Sequence, residues 1–296
     1  MLNSKKRKGI LLAGGEGSRL WPMTAVISKQ LLPVYDKPLI FYPLSTLMLA
    51  GVREILIITN PNNISLFKKL LGNGSQWGIN LQYAVQLEPN GIAEGLLIAE
   101  DFLDGASSIM ALGDNLFFGN GLKDKLKEAS QTDLGSTMFV LKSTNPANFG
   151  VVEIGKDHKI ISIEEKPENP KSNFIATGLY FFDSKASQFT KEISPSNRGE
   201  LEITDVLKAY GDLGELNFIK LDRGFAWFDT GTVDNLLMAS NFVQTIQQNS
   251  GQMIGCLEEI AYDMGWIDYK KMKKATSKFY KSPMAGYLAD LLEMKN

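Results

Sequence analysis

A few cations and carboxylates set at the ends of apolar runs are the groups in this chain that could carry chemistry. The run Ile10-Leu11-Leu12-Ala13 breaks into Gly14-Gly15-Glu16-Gly17, and Arg19 and Lys29 follow. Glycines after a strand let the backbone turn sharply and leave N–H groups bare. Bare amides beside an arginine and a lysine make a site for a polyphosphate. Two familiar glycine motifs are broken. The dinucleotide fingerprint has Leu20 where its third glycine belongs, and the P-loop's closing Gly-Lys-Ser/Thr is Gly17-Ser18-Arg19 here. A strand-to-helix turn without a ligand would explain the glycines alone; Arg19 and Lys29 weigh against it.

Two carboxylates stand at similar turns. Asp114, between Gly113 and Asn115, follows the apolar run Ser108–Leu112, and Asp229 lies in Ala226-Trp227-Phe228-Asp229-Thr230-Gly231. Together they could hold one divalent cation against phosphate oxygens. Each also has a plain reading, an Asx turn for Asp114 and a helix N-terminal acid for Asp229. Glu164-Glu165-Lys166-Pro167 ends a strand, because proline cannot continue the ladder, and leaves a carboxylate and an ammonium at a loop mouth. A solvated surface pair is the alternative there. The acids of Arg198–Asp205 lie at a helix start and need no function to explain them.

The elements that position these groups alternate through the first half. Strands are expected at Ile10–Ala13, Arg53–Thr59, Leu81–Val85 and Ser108–Leu112, and helices over 39–50, Asn62–Leu71 and Ala93–Leu103. This order predicts an α/β fold: a single doubly wound, mostly parallel mixed sheet with helices on both faces, Rossmann-like. Ligands then bind beyond the carboxyl ends of the strands, where the glycine loop and Asp114 fall. The second half is richer in strands, at Ser136–Lys142, Gly150–Ile154, Lys159–Glu164 and Phe174–Phe182, before an amphipathic helix over Val233–Ile246. One domain is expected over 1–296, with its core in about 1–250 and a C-terminal helical extension in about 251–296.

Composition narrows the chemistry. The chain has 296 residues, 44% hydrophobic, with a net charge of −2, so it can bury a large core and offers no basic field for nucleic acid. No run approaches the length of a membrane span, and the short basic cluster Lys5–Lys8 is read as a solvated edge of the first strand. The single cysteine, Cys256, excludes an internal disulfide and fits a reducing cytoplasm. The single histidine, His158, sits in a turn sequence, so neither a His/Cys zinc cluster nor a Ser-His-Asp triad can be built. Carboxylates, Lys, Arg, backbone amides and a hard metal ion remain.

The blocks LAGGEGSRL (12–20), SKQLLPVYDKP (28–38), GSQWGINLQYAVQ (74–86), GDNLFFG (113–119), FGVVEI (149–154), EEKP (164–167), TGLYFFD (177–183), RGELEITD (198–205) and AWFDTGT (226–232) run in family order across nearly the whole chain. In them the sequence resembles the glucose-1-phosphate thymidylyltransferases among the sugar-nucleotide pyrophosphorylases. The resemblance implies a Mg²⁺-dependent reaction of dTTP with α-D-glucose 1-phosphate, giving dTDP-glucose and diphosphate, the first step of dTDP-sugar (dTDP-rhamnose type) biosynthesis. It implies a homotetramer with no nucleic-acid or membrane partner. Carried over residue by residue, Leu12, Gly14, Gly15, Gln86, Pro89 and Gly91 bind the nucleotide, and Arg19 and Lys29 hold the triphosphate. Asp114 and Asp229 ligate Mg²⁺. Lys166 binds the sugar phosphate, and Gly150, Glu165, Ala176 and Trp227 form the sugar site. Where the family has L-A-Q-A after Gly91, this chain has Ile92-Ala93-Glu94-Gly95, which adds a carboxylate near the nucleotide pocket. A uridylyltransferase on the same scaffold and a non-catalytic nucleotide-sugar sensor are the alternatives.

Overall fold

Alternation along the first apolar run decides the layering. Ile10 and Leu12 join the core on one face of a sheet, and Leu11 and Ala13 join the core on the other. A strand buried on both faces reads as a continuous apolar run, which is why it lacks the polar alternation of a half-exposed strand. The computed structural model describes residues 7–132, 134–278 and 281–294. Lys5 and Lys6 of the basic cluster lie outside the described residues.

In chain order come β1 (Lys8–Ala13), the short strands β2 (Pro33–Val34) and β3 (Lys37–Pro38), α1 (Phe41–Leu49), β4 (Glu54–Thr59), α2 (Ile64–Leu71), β5 (Asn80–Val85), α3 (Glu94–Ile98), α4 (Glu100–Leu103), β6 (Ser108–Leu112) and β7 (Asn115–Gly119). Then follow α5 (Leu122–Ser130), β8 (Ser136–Lys142), β9 (Gly150–Ile154), β10 (Ile160–Glu165), β11 (Phe174–Phe182), α6 (Ala186–Glu192), α7 (Ile203–Asp212), β12 (Leu216–Lys220) and β13 (Phe225–Asp229). The chain closes with α8 (Val233–Ser250), α9 (Leu257–Asp263), α10 (Tyr269–Lys278) and α11 (Pro283–Met294).

The main sheet is mixed and runs β10-β9-β11-β6-β1-β4-β5, with β8 beside β11 and β12 beside β8. Strands β6, β1, β4 and β5 are parallel, whereas β11 runs antiparallel to β6, β8 and β9. One face is covered by α1 and by the C-terminal helices, whose Leu257, Ala261, Met272 and Leu288 belong to the same core cluster as Leu11 and Ile57. The other face is covered by α3, α6 and α7 through Leu96, Ala186 and Val206.

The single helix expected over Ala93–Leu103 is instead two short ones, parted at Ala99. The pairing of β7 with β13 was not foreseen. It is a separate two-stranded ladder that sets Asp229 opposite Asn115 and Trp227 opposite Phe117. His158 is exposed at a positive φ of 59° in the turn between β9 and β10, as a turn residue should be. Among the described residues no helix is long and apolar enough to cross a membrane.

Candidate active site

Register brings the first two chemical segments together. Leu12 of β1 lies beside Leu112 of β6, so the glycine loop and Asp114 leave the sheet side by side at the carboxyl ends of neighbouring parallel strands. The Gly113 N–H donates to the Leu12 carbonyl (2.7 Å), which pins the second turn to the first strand. The ladder of β7 with β13 then delivers Asp229 to the same place, and the Thr230 hydroxyl donates to the Asp114 carbonyl oxygen at 2.9 Å.

Four charged groups gather there. Lys29, carried on a single 3₁₀ turn, forms an ion pair with Asp114 Oδ2. Asn115 Nδ2 donates to Asp114 Oδ1 at 2.8 Å. A Cβ added at Gly231 would meet Arg19 Nη2 at 2.7 Å and Asp229 Oδ1 at 3.1 Å, so the guanidinium and the second carboxylate face one another across a bare backbone. Burial disfavours the charge on Asp114, but the positive charge and hydrogen bond of Lys29 outweigh it and hold the carboxyl below its ordinary value. For Asp229, burial and then the charge of Asp114 push the carboxyl upward, against the pull of Lys29 and Arg19. Two carboxylates that repel one another in a low-dielectric setting suit a hard divalent cation, which takes oxygen ligands. Among the described residues no group of three or more His, Cys, Asp or Glu converges as a ready-made metal cage. An ion held by these two carboxylates alone would keep positions for water and phosphate oxygens.

A cavity of about 390 Å³ opens beside the glycine loop, lined by Gly14, Gly15, the loop Thr24–Ser28, Asn60–Asn63 and Gln86–Pro89. Five of the six residues the resemblance assigns to the nucleotide fall at or next to it: Gly14, Gly15, Gln86 and Pro89 on its wall, and Gly91 just behind. Leu12 is different. Its side chain is buried against Gly95 of α3, where an added Cβ would come within 2.6 Å of Leu12 Cδ2, and does not line the cavity. Gly91 has a φ of 109°, and a Cβ there would collide with the Leu201 carbonyl oxygen at 2.4 Å.

The residues that the resemblance assigns to the sugar form a second group. A Cβ at Gly150 would lie 3.4 Å from Glu165 Oε2, 3.0 Å from Thr204 Cγ2 and 3.8 Å from the Ala176 Cβ. Lys166, at a φ of 41°, keeps its ammonium 3.8 Å from Glu165 Oε1 with its side chain 44% exposed. Burial, reinforced by the Glu202 charge, raises the Glu165 carboxyl above its usual value despite Lys166 and Arg198 nearby. Trp227 packs edge-on against Phe149 at 5.3 Å between ring centroids.

Two contributors escaped the sequence reading, Arg198 and Asn115, and a third that it flagged, Glu94, is partnered. Arg198 makes a bidentate pair with Glu202 (both oxygens 2.8 Å from Nη2) and approaches Glu165 at 3.6 Å, so the helix-start acids are tied to the sugar group after all. Asn115 is 2% exposed, and its Oδ1 accepts from Trp227 Nε1 (2.6 Å) and from the Gly178 N–H (3.2 Å). The asparagine thus joins the carboxylate cluster to the sugar group. Glu94 does not stand as a free charge by the pocket, because it accepts from the side-chain amides of Gln86 (2.6 Å) and Asn90 (2.9 Å). Glu94 was a visible signal, and its partners lie four and eight residues away; Asn115 and Arg198 are joined to this group through distant segments, Trp227 and Gly178 for the one and Glu165 for the other.

The nucleotidyl transferase family model matches residues 8–246. Glucose-1-phosphate thymidylyltransferases of Xanthomonas campestris pv. campestris (strain B100) and of Neisseria meningitidis serogroup A are 51% and 49% identical over 286 residues, which is 97% of this chain in both cases and 97% and 99% of theirs. A solved structure assigned as a glucose-1-phosphate thymidylyltransferase of Bacillus anthracis, in complex with sucrose, superposes with a TM-score of 0.75 at 38% identity, covering 80% of this chain and 95% of that one. The chain belongs to the nucleotidyl transferase family and, within it, to the glucose-1-phosphate thymidylyltransferases.

Proposed function

We propose that this protein transfers a thymidylyl group from dTTP to α-D-glucose 1-phosphate, releasing diphosphate and supplying dTDP-glucose for dTDP-sugar biosynthesis. The observation that carries the reading is the gathering of Arg19, Lys29, Asp114 and Asp229 at the ends of β1, β6 and β13, beside a cavity floored by the glycine loop.

A phosphate oxygen of glucose 1-phosphate attacks the α-phosphorus, and the bond from that phosphorus to the bridging oxygen of the diphosphate breaks. No general base is required, because a phosphate monoester with a second pKa of about 6 is already largely dianionic at neutral pH. That suits a chain whose one histidine is far from the chemistry in a surface turn. The residues must align two anions and offset the charge that gathers on the leaving group. Amides of Gly14 and Gly15 cradle the triphosphate, Arg19 holds its β and γ phosphates through departure, and Lys29 supports the same side. Lys166 draws in the phosphate of the acceptor, Glu165 accepts from sugar hydroxyls, and Gly150, Ala176 and Trp227 wall the sugar. Asp114 and Asp229 would hold Mg²⁺, which supplies positive charge against the phosphate oxygens when bound.

The test is a matrix of dTTP, UTP and CTP against hexose 1-phosphates with Mg²⁺, read by diphosphate release. The highest kcat/KM is expected for dTTP with glucose 1-phosphate; absence of turnover with every pair removes the enzyme reading. A homotetramer, which the family likeness supports, is checked by light scattering.

A further inference from the structure

We infer that Glu16 is a specificity-determining residue: set in the glycine loop, its carboxylate repels a bare triphosphate and admits one that carries a divalent cation. The inference rests on the proposed reading of the adjoining cavity as the nucleotide site. Glu16 is exposed and lines that cavity, between Gly15 and Gly17. The backbone that carries it is held in place. Gly17 turns at a φ of 66°, and a Cβ there would meet Thr24 Cγ2 at 2.9 Å. The Thr24 hydroxyl donates to the Gly17 carbonyl oxygen at 2.8 Å, which fastens the turn. No cation answers the carboxylate. Lys29 passes close to the loop, where a Cβ at Gly15 would lie 3.7 Å from its Nζ, but its ammonium is paired with Asp114. The Arg19 guanidinium lies by Gly231, across from Asp229. Among the described residues none forms an ion pair with Glu16.

With the acids ionised, the loop and the strand ends set two cations, Arg19 and Lys29, against three carboxylates, Asp114, Asp229 and Glu16. A polyphosphate that enters alone meets an excess of negative charge. A divalent cation on the phosphates reverses the balance, and the Glu16 carboxylate then attracts what it had opposed. Without Glu16 the cations and carboxylates would be equal in number, and the bare N–H groups of the loop would favour an unaccompanied anion. Glu16 therefore turns a loop suited to any polyphosphate into one that selects the metal-charged form.

The experiment measures the Kd of dTTP by isothermal titration calorimetry, without glucose 1-phosphate, in excess Mg²⁺ and in EDTA. The proteins are the wild type, Glu16→Gln, Glu16→Ala and Glu16→Asp. The two neutral variants are expected to bind dTTP about threefold to tenfold more tightly than the wild type in EDTA, the scale of one unit charge acting across a few ångströms of wet space. In Mg²⁺ they should show no such gain. Glu16→Asp keeps the charge and should keep the wild-type preference for the metal-charged form. Added salt should shrink the gain seen in EDTA, because it screens the repulsion; a mere change of loop shape would not respond in that way. If one neutral variant does not fold, the other carries the measurement. An affinity in EDTA that the folded neutral variants fail to improve overturns the inference, as does a wild type that binds dTTP equally well with and without Mg²⁺. Either result, with dTTP still bound in Mg²⁺, leaves the proposed function standing. A wild type that binds no dTTP in Mg²⁺ overturns the proposed function, and this inference with it.

Discussion

At the scale of single residues, the site is organised around charges whose neighbours are unequal. Lys29 sits on Asp114 rather than on Asp229, so one carboxyl is pulled down and the other pushed up. If both carboxylates and Arg19 act on the reacting phosphates, Arg19→Ala and Asp114→Ala should each lower kcat/KM by at least about a hundredfold, the scale for a lost electrostatic stabiliser. Near-normal steady-state rates in both would refute those roles. Asn115 invites a different test. Replacing it with alanine strands the Trp227 and Gly178 donors in a buried place, at about 1–3 kcal/mol each. Asn115→Ala should therefore lose both thermal stability, seen by calorimetry, and activity. An unshifted Tm would mean that these donors find other partners. Asp114 and Asp229 were legible because acids at strand ends are uncommon enough to notice. Asn115 and Arg198 were not, since nothing local distinguishes a hydrogen-bonding hub from an ordinary turn residue.

Among the secondary elements, the parallel core was the easier part to read. Runs such as Ile55–Ile58 and Ile109–Leu112 are apolar throughout because both their faces are covered, and each strand ends in a turn signal. The ladder of β7 with β13 was hidden, because its strands are more than a hundred residues apart and its pairing is set by tertiary contacts. The break at Ala99 was hidden too, since alanine favours helix and no glycine or proline marks the stop. The loop from Gln86 to Glu94 is held against Leu201, whose N–H donates to the Asn90 carbonyl at 2.7 Å and whose own carbonyl accepts from the Ala93 N–H at 3.2 Å. Gly91→Ala would force a side chain into that backbone at a φ that disfavours one. The expected outcome is a higher KM for dTTP with a smaller change in kcat, measured by initial rates over a range of dTTP. An unaltered KM would show that the loop does not shape the nucleotide site.

Across the whole molecule, the C-terminal helices share a core with the sheet. Cys256, Leu257, Ile267 and Leu291 are buried with Leu44, Leu47 and Phe67. Removing 251–296 should uncover that surface and give a chain that aggregates or melts well below the full protein; a soluble, cooperatively folding truncation would contradict the shared core. Glu258 lies inside this junction, 5% exposed, with Oε1 accepting from Trp77 Nε1 at 2.8 Å and Oε2 without a hydrogen-bond partner. Burial raises its carboxyl despite the Trp77 bond. A raised folded-state value means the group's contribution is intact below the ordinary carboxylate range and is lost as the pH rises through the folded-state value. Glu258→Gln, which can still accept from Trp77, should thus gain Tm relative to the wild type as the pH climbs from acid toward neutral. A difference in Tm that stays flat with pH would argue against a buried charge. The asparagine bridge has a practical consequence for redesign. Trimming Trp227 to admit bulkier hexoses would loosen Asn115 and, through it, the carboxylate assigned to magnesium, so a broadened acceptor range should come with a greater appetite for the ion unless the lost indole donor is replaced.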